Sequence, residues 1–208
     1  MAKLKGGTEA MISGKVGGLV FFDYFGERHV RVAPKDRKKG SWSPKQQAHR
    51  KRFSAIYAFW RQYHGKQIQW IWKIAAERMH AINLFMKTNM PAFGPEGELL
   101  DLERLHFSTG QLPLPHLLNA VRISGDPEKI EVTWQNDSGN AHARSNDELL
   151  AMIAHDGKFT GPIETGCIRK TENAIIQIPV GTGTMQGIYL FFASKERTFY
   201  STDQYFKL

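Results

Sequence analysis

The apolar residues of this chain change their spacing part-way along the sequence. Between residues 44 and 89 they recur every three or four positions, which is the period of an amphipathic helix. After residue 118 they form short runs of β-branched and aromatic residues separated by turn-forming residues, which is typical of strands. Because one regular element cannot have both periods, the sequence predicts an α+β protein whose helices precede most of its strands.

A β-hairpin is predicted before the helices. The runs Leu19 to Tyr24 and Arg28 to Val32 are rich in β-branched and aromatic residues, and Phe25-Gly26 separates them as a turn. In the second run His29 and Arg31 alternate with valines, so one face is apolar and the other is polar or basic. Since a lone hairpin is marginal in water, we expect it to pack on the following helices or to pair with another chain.

Two or three helices are predicted next. Ser43, Pro44 and Gln46 together form a helix-start signal, with a hydroxyl N-cap, a proline at the first helical position and a capping-box glutamine. Gly65 ends this pattern, and a second helix is predicted from about Gln67 to the region of Asn89. The second segment is apolar on two sides, so it requires packing partners on both.

Seven short strands are predicted in the C-terminal region. Their number and the turn signals between them predict an antiparallel β-sandwich of the immunoglobulin or fibronectin type. Trp134 is expected in its core. The predicted strands are Ala120 to Ile123, Lys129 to Gln135, Leu149 to Ala154, Cys167 to Arg169, Ala174 to Ile178, Ile188 to Ala193 and Thr198 to Tyr200.

The charge of the chain divides near the place where its periodicity changes. Residues 1–93 carry 18 Lys/Arg and 5 Asp/Glu, a net charge of +13, and residues 94–208 carry 10 and 15, a net charge of −5, which together give +8. The segment from Pro91 to Gly97 is rich in Pro and Gly and closes the helical pattern. We therefore predict a basic hairpin-plus-helices region over residues 1–93, a linker over 94–117, and the β-sandwich over 118–208.

Composition excludes several classes of protein. With 41% hydrophobic residues, 23% charged residues and a single Cys, the chain is unlike a disordered protein, a collagen, a disulfide scaffold or a membrane bundle. Lys3 and Lys5 lead into glycines and Glu9, so no secretory signal is expected. The longest purely apolar run, Ile188 to Ala193, is far short of the ~20 residues of a membrane span. We expect a cytoplasmic protein, or one packaged into a particle that assembles in the cytoplasm.

The sequence contains no pattern that predicts catalysis or cofactor binding. Cys167 has no local signature of an activated nucleophile, and the eight histidines lack the spacing of metal ligands. The run Gly181 to Gly187 resembles a phosphate loop but lacks its Lys-Ser/Thr ending and precedes a strand. We therefore expect a protein that is not an enzyme and has neither a cofactor nor a metal site.

The basic segment between residues 35 and 52 is the strongest candidate for a binding surface. Three interpretations are open: it meets the phosphates of a nucleic acid, it meets an acidic protein partner, or it is only a solvated surface. The aromatic residues that follow at helical spacing favour burial or a protein interface over base stacking. The candidate interface residues are Trp60, Trp70 and Ile74. The candidate residues for nucleic-acid or acidic-partner binding are Lys35, Arg37, Lys38, Lys39, Lys45, Arg50, Lys51 and Arg52.

A series of short motifs extends over most of the chain. They are Gly14-Lys15-Val16-Gly17, Arg31 through Pro34, Ser43 with Gln47, Arg50 and Phe53, Asn83-Leu84-Phe85 with Asn89, Ser108 with Gly110 and Leu112, Val132-Thr133-Trp134, Tyr189-Leu190-Phe191-Phe192, and Ser201 with Tyr205. In this order they resemble a family of bacterial proteins with a domain of unknown function, from Bacteroidota chromosomes and mobile elements. The resemblance implies a basic N-terminal half and an immunoglobulin-like C-terminal half. It implies no catalytic residue, and it suggests a phage or prophage origin.

These observations predict a non-enzymatic structural or assembly protein, specifically a phage or prophage particle component. We expect its basic, aromatic N-terminal half to dock onto other protein subunits, so that the chain is oligomeric or embedded in a complex. The alternative is a nucleic-acid-binding protein that uses residues 35–52. An enzyme ranks third.

Overall fold

The structure is a computed structural model that describes residues 2–3, 13–35, 40, 42–63, 65–140 and 142–208. The contacts within it divide the chain into two compact units, Met1–Pro44 and Lys45–Leu208. The first unit contains one antiparallel sheet, and the second contains the helices and two further sheets. The α+β class is confirmed.

The first unit confirms the predicted hairpin. Its strands are β1 (Ala2–Lys3), β2 (Gly14–Val16), β3 (Leu19–Tyr24) and β4 (Glu27–Val32), and they lie in the order β1-β4-β3-β2. The turn between β3 and β4 places Phe25 and Gly26 at φ values of 49° and 76°. Two consecutive residues with positive φ are typical of the tight turns that join hairpin strands without splaying them.

Three helices follow the N-terminal sheet in the chain. They are α1 (Pro44–Arg61), α2 (Gln67–Ala75) and α3 (Ala81–Asn89), and a 3-10 turn, Met90–Ala92, follows. The start at Pro44 is confirmed. The second predicted helix is two helices, because Ala76 leaves the helical conformation with φ −87° and ψ 84°. The break allows buried residues of both helices to enter one core. None of the helices in the described ranges is long and apolar enough to cross a membrane.

Two antiparallel sheets complete the second unit. One has three strands in the order β10-β6-β5, and the other has five, in the order β12-β11-β7-β8 with β9 also paired to β7. Their strands are β5 (His116–Ile123), β6 (Asp126–Gln135), β7 (Glu148–His155), β8 (Lys158–Phe159), β9 (Ile163–Ile168), β10 (Asn173–Gln177), β11 (Met185–Ala193) and β12 (Gln204–Lys207).

Six of the seven predicted strands overlap these elements, and the seventh is wrong. Residues 198–200 belong to the connection between β11 and β12, and the last strand lies further on, at Gln204–Lys207. The connection is fixed by the hydroxyl oxygen of Ser194, which accepts hydrogen bonds from the backbone N–H groups of Thr198 and Phe199, each at 3.0 Å. These local bonds hold the chain in a turn where β-branched and aromatic residues predicted a strand.

The strands β7 and β11 of the five-stranded sheet are buried on both faces. Alternate residues of β7 and β11 point to opposite sides, as the period of a strand requires. One set belongs to the core that contains the helices: Leu150, Met152, Ala154, Tyr189, Phe191 and Ala193. The other set belongs to the core shared with the three-stranded sheet: Leu149, Ala151, Ile153, Ile188, Leu190 and Phe192. The second unit therefore has three layers, namely helices, five-stranded sheet and three-stranded sheet.

The domain boundary predicted after residue 93 falls inside this three-layer unit. Leu105 and Phe107, in the segment interpreted as a linker, are fully buried in the core that contains the helices. The indole nitrogen of Trp72 donates a hydrogen bond to the Phe107 carbonyl oxygen at 2.9 Å. The division of the chain lies instead between Pro44 and Lys45, because the helices pack on the sheet that follows them in sequence. Trp134 lies in the core between the two sheets, as predicted.

Candidate functional site

The predicted basic residues fall into three groups. Lys35 is exposed and belongs to the first unit. Three more lie outside the described residues: Arg37, Lys38 and Lys39. The remaining four lie on α1, where three are exposed and Arg52 is half-buried; the exposed residues are Lys45, Arg50 and Lys51. The described part of the basic segment is therefore mainly a surface of α1.

Two of the α1 cations contact the acidic segment that follows the helices. Lys51 forms an ion pair with Glu96. The Nε–H group of Arg52 donates a hydrogen bond to the carbonyl oxygen of Gly94 at 3.3 Å. An exposed ion pair contributes at most about 1 kcal/mol to stability. These two residues thus have intrachain partners, and they are weaker candidates for an external ligand than the sequence suggested.

The three predicted interface residues differ in exposure. Trp60 is buried, and its ring centroid lies 4.9 Å from that of Phe85 in the core. Trp70 is 52% exposed, and the Nζ atom of Lys73 lies 5.3 Å from its ring centroid. Ile74 is half-buried and lines a cavity of about 340 Å³. Trp60 therefore packs within the chain, while Trp70 remains accessible.

The sheet of the first unit has two different faces. Leu19 lies opposite Val32 and Phe22 lies opposite His29, so alternate residues of neighbouring strands share a face. The apolar face contains Val16, Leu19, Phe21, Val30 and Val32, and the ion pair of Asp23 and Arg28 lies on the same side next to the turn. The aromatic-basic face contains Lys15, Phe22, Tyr24, His29 and Arg31, together with Val20 and Glu27. The alternation in β4 is visible in the sequence, but the side on which the β3 aromatic residues lie depends on the register set by the two-residue turn.

The described side chains of this sheet are not deeply buried. Every residue of β2, β3 and β4 is half-buried or exposed. On the apolar face Val16, Leu19 and Val32 are 53%, 42% and 76% exposed. On the other face the rings of Phe22 and His29 stack with centroids 5.5 Å apart. Contiguous exposed apolar side chains of this kind mark interaction surfaces in proteins.

A buried polar cluster joins α3 to the C-terminal strands. The carboxylate of Asp203 accepts hydrogen bonds from the Nδ1–H group of His106 at 2.7 Å and from the backbone N–H of Phe107 at 2.6 Å. Asn89 on α3 accepts from the backbone N–H of His106 at 2.6 Å and donates to its carbonyl oxygen at 3.0 Å. The cluster thus connects the last helix, the segment after it and the loop before β12.

The pKa values of His106 and Asp203 are both raised, for different reasons. The hydrogen bond to Asp203 raises the pKa of His106 against the opposing effect of burial, whereas burial raises the pKa of the Asp203 carboxyl and the hydrogen bond opposes that shift. A His–Asp pair orients a general base in some hydrolases. Here the hydroxyl of the neighbouring Ser108 donates to the carbonyl oxygen of Ser201 at 2.6 Å. Asp203 and Ser108 thus both bond to backbone groups of neighbouring segments.

A second buried cluster centres on Arg169. Its side chain is fully buried and donates from Nε to Asp147 at 3.2 Å and from a terminal nitrogen to Asp137 at 2.6 Å. Its guanidinium carbon lies 4.7 Å from the ring centroid of Phe192. Burial raises the pKa of the Asp147 carboxyl, partly offset by hydrogen bonds and by the nearby arginine charge. The cluster holds together the connections around β6, β7 and β9, and no local pattern in the sequence indicated it.

Cys167 and the run Gly181 to Gly187, which resembles a phosphate loop, both lie in the β region. Cys167 is half-buried and packs against the core between the sheets. In the run Gly181 to Gly187, the backbone N–H of Thr184 donates to the Asp156 carboxylate at 3.1 Å. Among the residues that the structure describes, no group of three or more His, Cys, Asp or Glu side chains is arranged to hold a metal ion.

Comparison with known proteins places the chain in a family. A model described as a family of unknown function, DUF6266, matches residues 11–206. The chain belongs to DUF6266. The match spans both units, so the N-terminal sheet and the three-layer unit are parts of one DUF6266 architecture. No curated protein and no solved structure matches the chain.

Proposed function

We propose that the chain is a non-enzymatic assembly subunit that docks onto another protein subunit through the apolar face of its N-terminal sheet. The observation that supports this function is the exposure of that face, on which Val16, Leu19 and Val32 are each more than two-fifths exposed. The proposal accounts for a sheet that is regular in its pairing and yet has no deeply buried residue in its described strands β2, β3 and β4.

The energetics of a small sheet favour such a partner. Ordering the backbone costs about 1–2 kcal/mol per residue. Burial of apolar area offsets this cost at about 25 cal/mol per Å². Residues that stay half-exposed return only part of that energy, and a small sheet needs a hydrophobic face or packing against another element for independent stability. A partner seated on the apolar face supplies the missing burial.

The three-layer unit serves in this proposal as a spacer or outward module. Its β region is assigned to the immunoglobulin or fibronectin type of sandwich, and the strand order supports this. With β5, β6 and β7 lettered A to C and β10, β11 and β12 lettered E to G, one sheet holds A, B and E and the other holds C, F and G. The immunoglobulin fold likewise places A, B and E in one sheet and C, F and G in the other. Its strand D has no counterpart among the described strands, because β8 and β9 pair with β7 instead. A phage or prophage particle is the specific assembly that the proposal names.

A matched pair of charge substitutions tests the docking surface. Val32→Asp places a charge at the edge of the apolar face, and Val180→Asp places one on the fully exposed loop between β10 and β11. Tagged full-length chains are purified from cells that contain the natural partners, and the mass of each complex is measured under native conditions. We expect the parent and Val180→Asp to retain stoichiometric protein subunits and Val32→Asp to lose them.

A further variant separates docking from folding. Val32→Thr keeps the β-branched shape that suits a strand and removes only part of the apolar surface, so it should retain the partner more weakly. A parent chain that is a monomer in its native cells contradicts the proposal. So does a Val32→Asp chain that keeps the same partners as the parent.

A further inference from the structure

A groove lies between the end of α1 and the outward side of α2. Its volume is about 350 Å³, which is at the lower end of the range for ligand pockets. The α2 side is formed by Lys66, Trp70 and Lys73, which are three or four residues apart and therefore share one face of the helix. Trp60, which is 8% exposed, lies on the α1 side. We call these four residues the α2 groove.

The α2 groove combines positive charge with apolar surface. Both of its lysines are exposed, and neither forms an ion pair within the part of the chain that the structure describes. The described residues that line the groove include no Asp or Glu. Trp70 is 52% exposed between the two lysines. A ligand that complements the groove therefore carries an apolar group with negative charge on either side of it.

The chain itself contains a segment with this complementary pattern. Residues 94–103 include four Asp/Glu and no Lys/Arg. Leu100 is 67% exposed, and the exposed residues Glu98 and Glu103 precede and follow it. Among the described residues neither of these two carboxylates has an ion-pair partner, whereas Glu96 is paired with a lysine of α1. We call Glu98, Leu100 and Glu103 the acidic triplet.

We propose that the α2 groove of one copy binds the acidic triplet of a second copy of this chain. Leu100 enters the groove beside Trp70, and the two glutamates contact the two lysines. Burial of the leucine supplies affinity, and the charges steer the two surfaces together and fix their register. Each copy carries both halves of the contact, so two copies can bind each other reciprocally.

The geometry of Trp70 favours a protein surface over a nucleic acid. The Nζ atom of Lys73 lies over the Trp70 ring, 5.3 Å from its centroid, so it occupies a face on which a base would stack. The α2 groove shares no residue with the apolar face of the N-terminal sheet. Contact between copies is therefore separate from the docking function, and either proposal can fail without the other.

Sedimentation of the purified full-length chain over a range of concentrations tests the contact. We expect the parent to self-associate, and to do so more weakly as salt is added. Leu100→Ala should weaken association about 10- to 50-fold, because three apolar carbons stay in water. Lys66→Glu/Lys73→Glu should weaken it about 100-fold or more, because like charges then meet. Glu98→Lys/Glu103→Lys should have the same effect.

Mixing the two charge-reversed variants is the sharpest test. An equimolar mixture restores opposite charges at both contacts, so it should associate although each variant alone is a monomer. The matched control Lys170→Glu/Lys195→Glu makes the same change of charge at exposed positions elsewhere in the second unit and should associate as the parent does. Val32→Asp, which disrupts the docking surface, should also self-associate normally. Thermal unfolding of every variant checks the fold.

Three results would overturn the proposal. They are a parent that stays monomeric at every concentration, association that is unchanged in both charge-reversed variants, and a mixture of these variants that does not associate. A monomeric parent that binds an oligothymidylate, with binding lost in Lys66→Glu/Lys73→Glu, would assign the groove to nucleic acid instead.

Discussion

Phe191→Ala tests whether the helices and the sheets form one cooperative unit. Phe191 on β11 is fully buried in the core that contains the helices. Its neighbour Phe192 is equally buried on the opposite face, where its ring centroid lies 5.5 Å from that of Trp134. Replacing a fully buried Phe by Ala costs about 3–5 kcal/mol. For a domain of this size each kcal/mol lowers Tm by about 2–4 °C, so either substitution should lower Tm by about 6–20 °C.

The assay is urea and thermal unfolding of the full-length chain, followed by circular dichroism and by tryptophan fluorescence. Phe192→Ala is the matched control, because it removes the same ring from the other face of the same strand. We expect both variants to shift one common transition by similar amounts with the urea m-value unchanged. If the β region folded alone with Phe191 toward solvent, Phe191→Ala would change stability by less than about 0.5 kcal/mol, and the reasoning would be refuted.

Two further substitutions test the contacts that join the layers. A Cβ atom at Gly110 would overlap the carbonyl oxygen of Tyr200, so Gly110→Ala should lower the free energy of unfolding in urea by about 1–3 kcal/mol. A Cβ atom at Gly161 meets no neighbouring atom, so the control Gly161→Ala should not destabilise the chain. Equal effects of the two substitutions would contradict this prediction. The hydrogen bond to Asp203 raises the pKa of His106 in the folded chain above its unfolded value of about 6.5. The charged form of His106 therefore stabilises the fold at pH values below the unfolded pKa, and this stabilisation is lost as the pH rises through the folded pKa. Stability should therefore fall as pH rises through this range in the parent, and His106→Gln, which lacks the titrating imidazole, should change the size of that fall. An identical pH profile for the two proteins would show that another group is responsible.

The elements that were predicted correctly depend on local signals. The start of α1 follows from the capping preferences of Ser43 and Pro44, and the β3–β4 hairpin follows from two β-rich runs around a two-residue turn. The break between α2 and α3 was not predicted. Its position depends on how the apolar residues on both sides of this segment pack in the folded core, and the sequence pattern does not show that packing. The cluster of His106 and Asp203 joins residues 97 positions apart, and no local pattern encodes such a contact.

The sequence contains one signal that the helices and the sheets belong to the same unit. Ile188 to Ala193 is a continuous apolar run with no alternation, and such runs are typical of strands covered on both faces. A two-sheet sandwich covers only one face of each sheet, so this run required a further layer. The helices supply this layer. The change in net charge near residue 93 reflects the composition of the surface and does not mark the end of a hydrophobic core.

The candidate site was predicted only as a region. The basic residues of α1 were found from composition, but the ion pair between Lys51 and Glu96 depends on the fold. The aromatic residues of α1 divide by helical phase, so that Trp60 enters the core while Phe53 and Tyr57 stay outside. Helical spacing alone favoured burial or a protein interface for the aromatic residues of this helix as a group. The difference arises because the buried side of α1, which contains Ile56 and Trp60, is narrower than the set of apolar positions in its sequence.

Hydrogen exchange of the β3 and β4 amides tests the central claim, which is that the N-terminal sheet requires a partner. The measurement compares the full-length chain alone with the same chain in the complex isolated from its native cells. In the free chain we expect these amides to exchange through local opening, far faster than the amides of the doubly covered strands β7 and β11, and in the complex we expect them to be strongly protected. Amides of β3 and β4 that are as protected as those of β7 and β11 in the free chain would contradict the account.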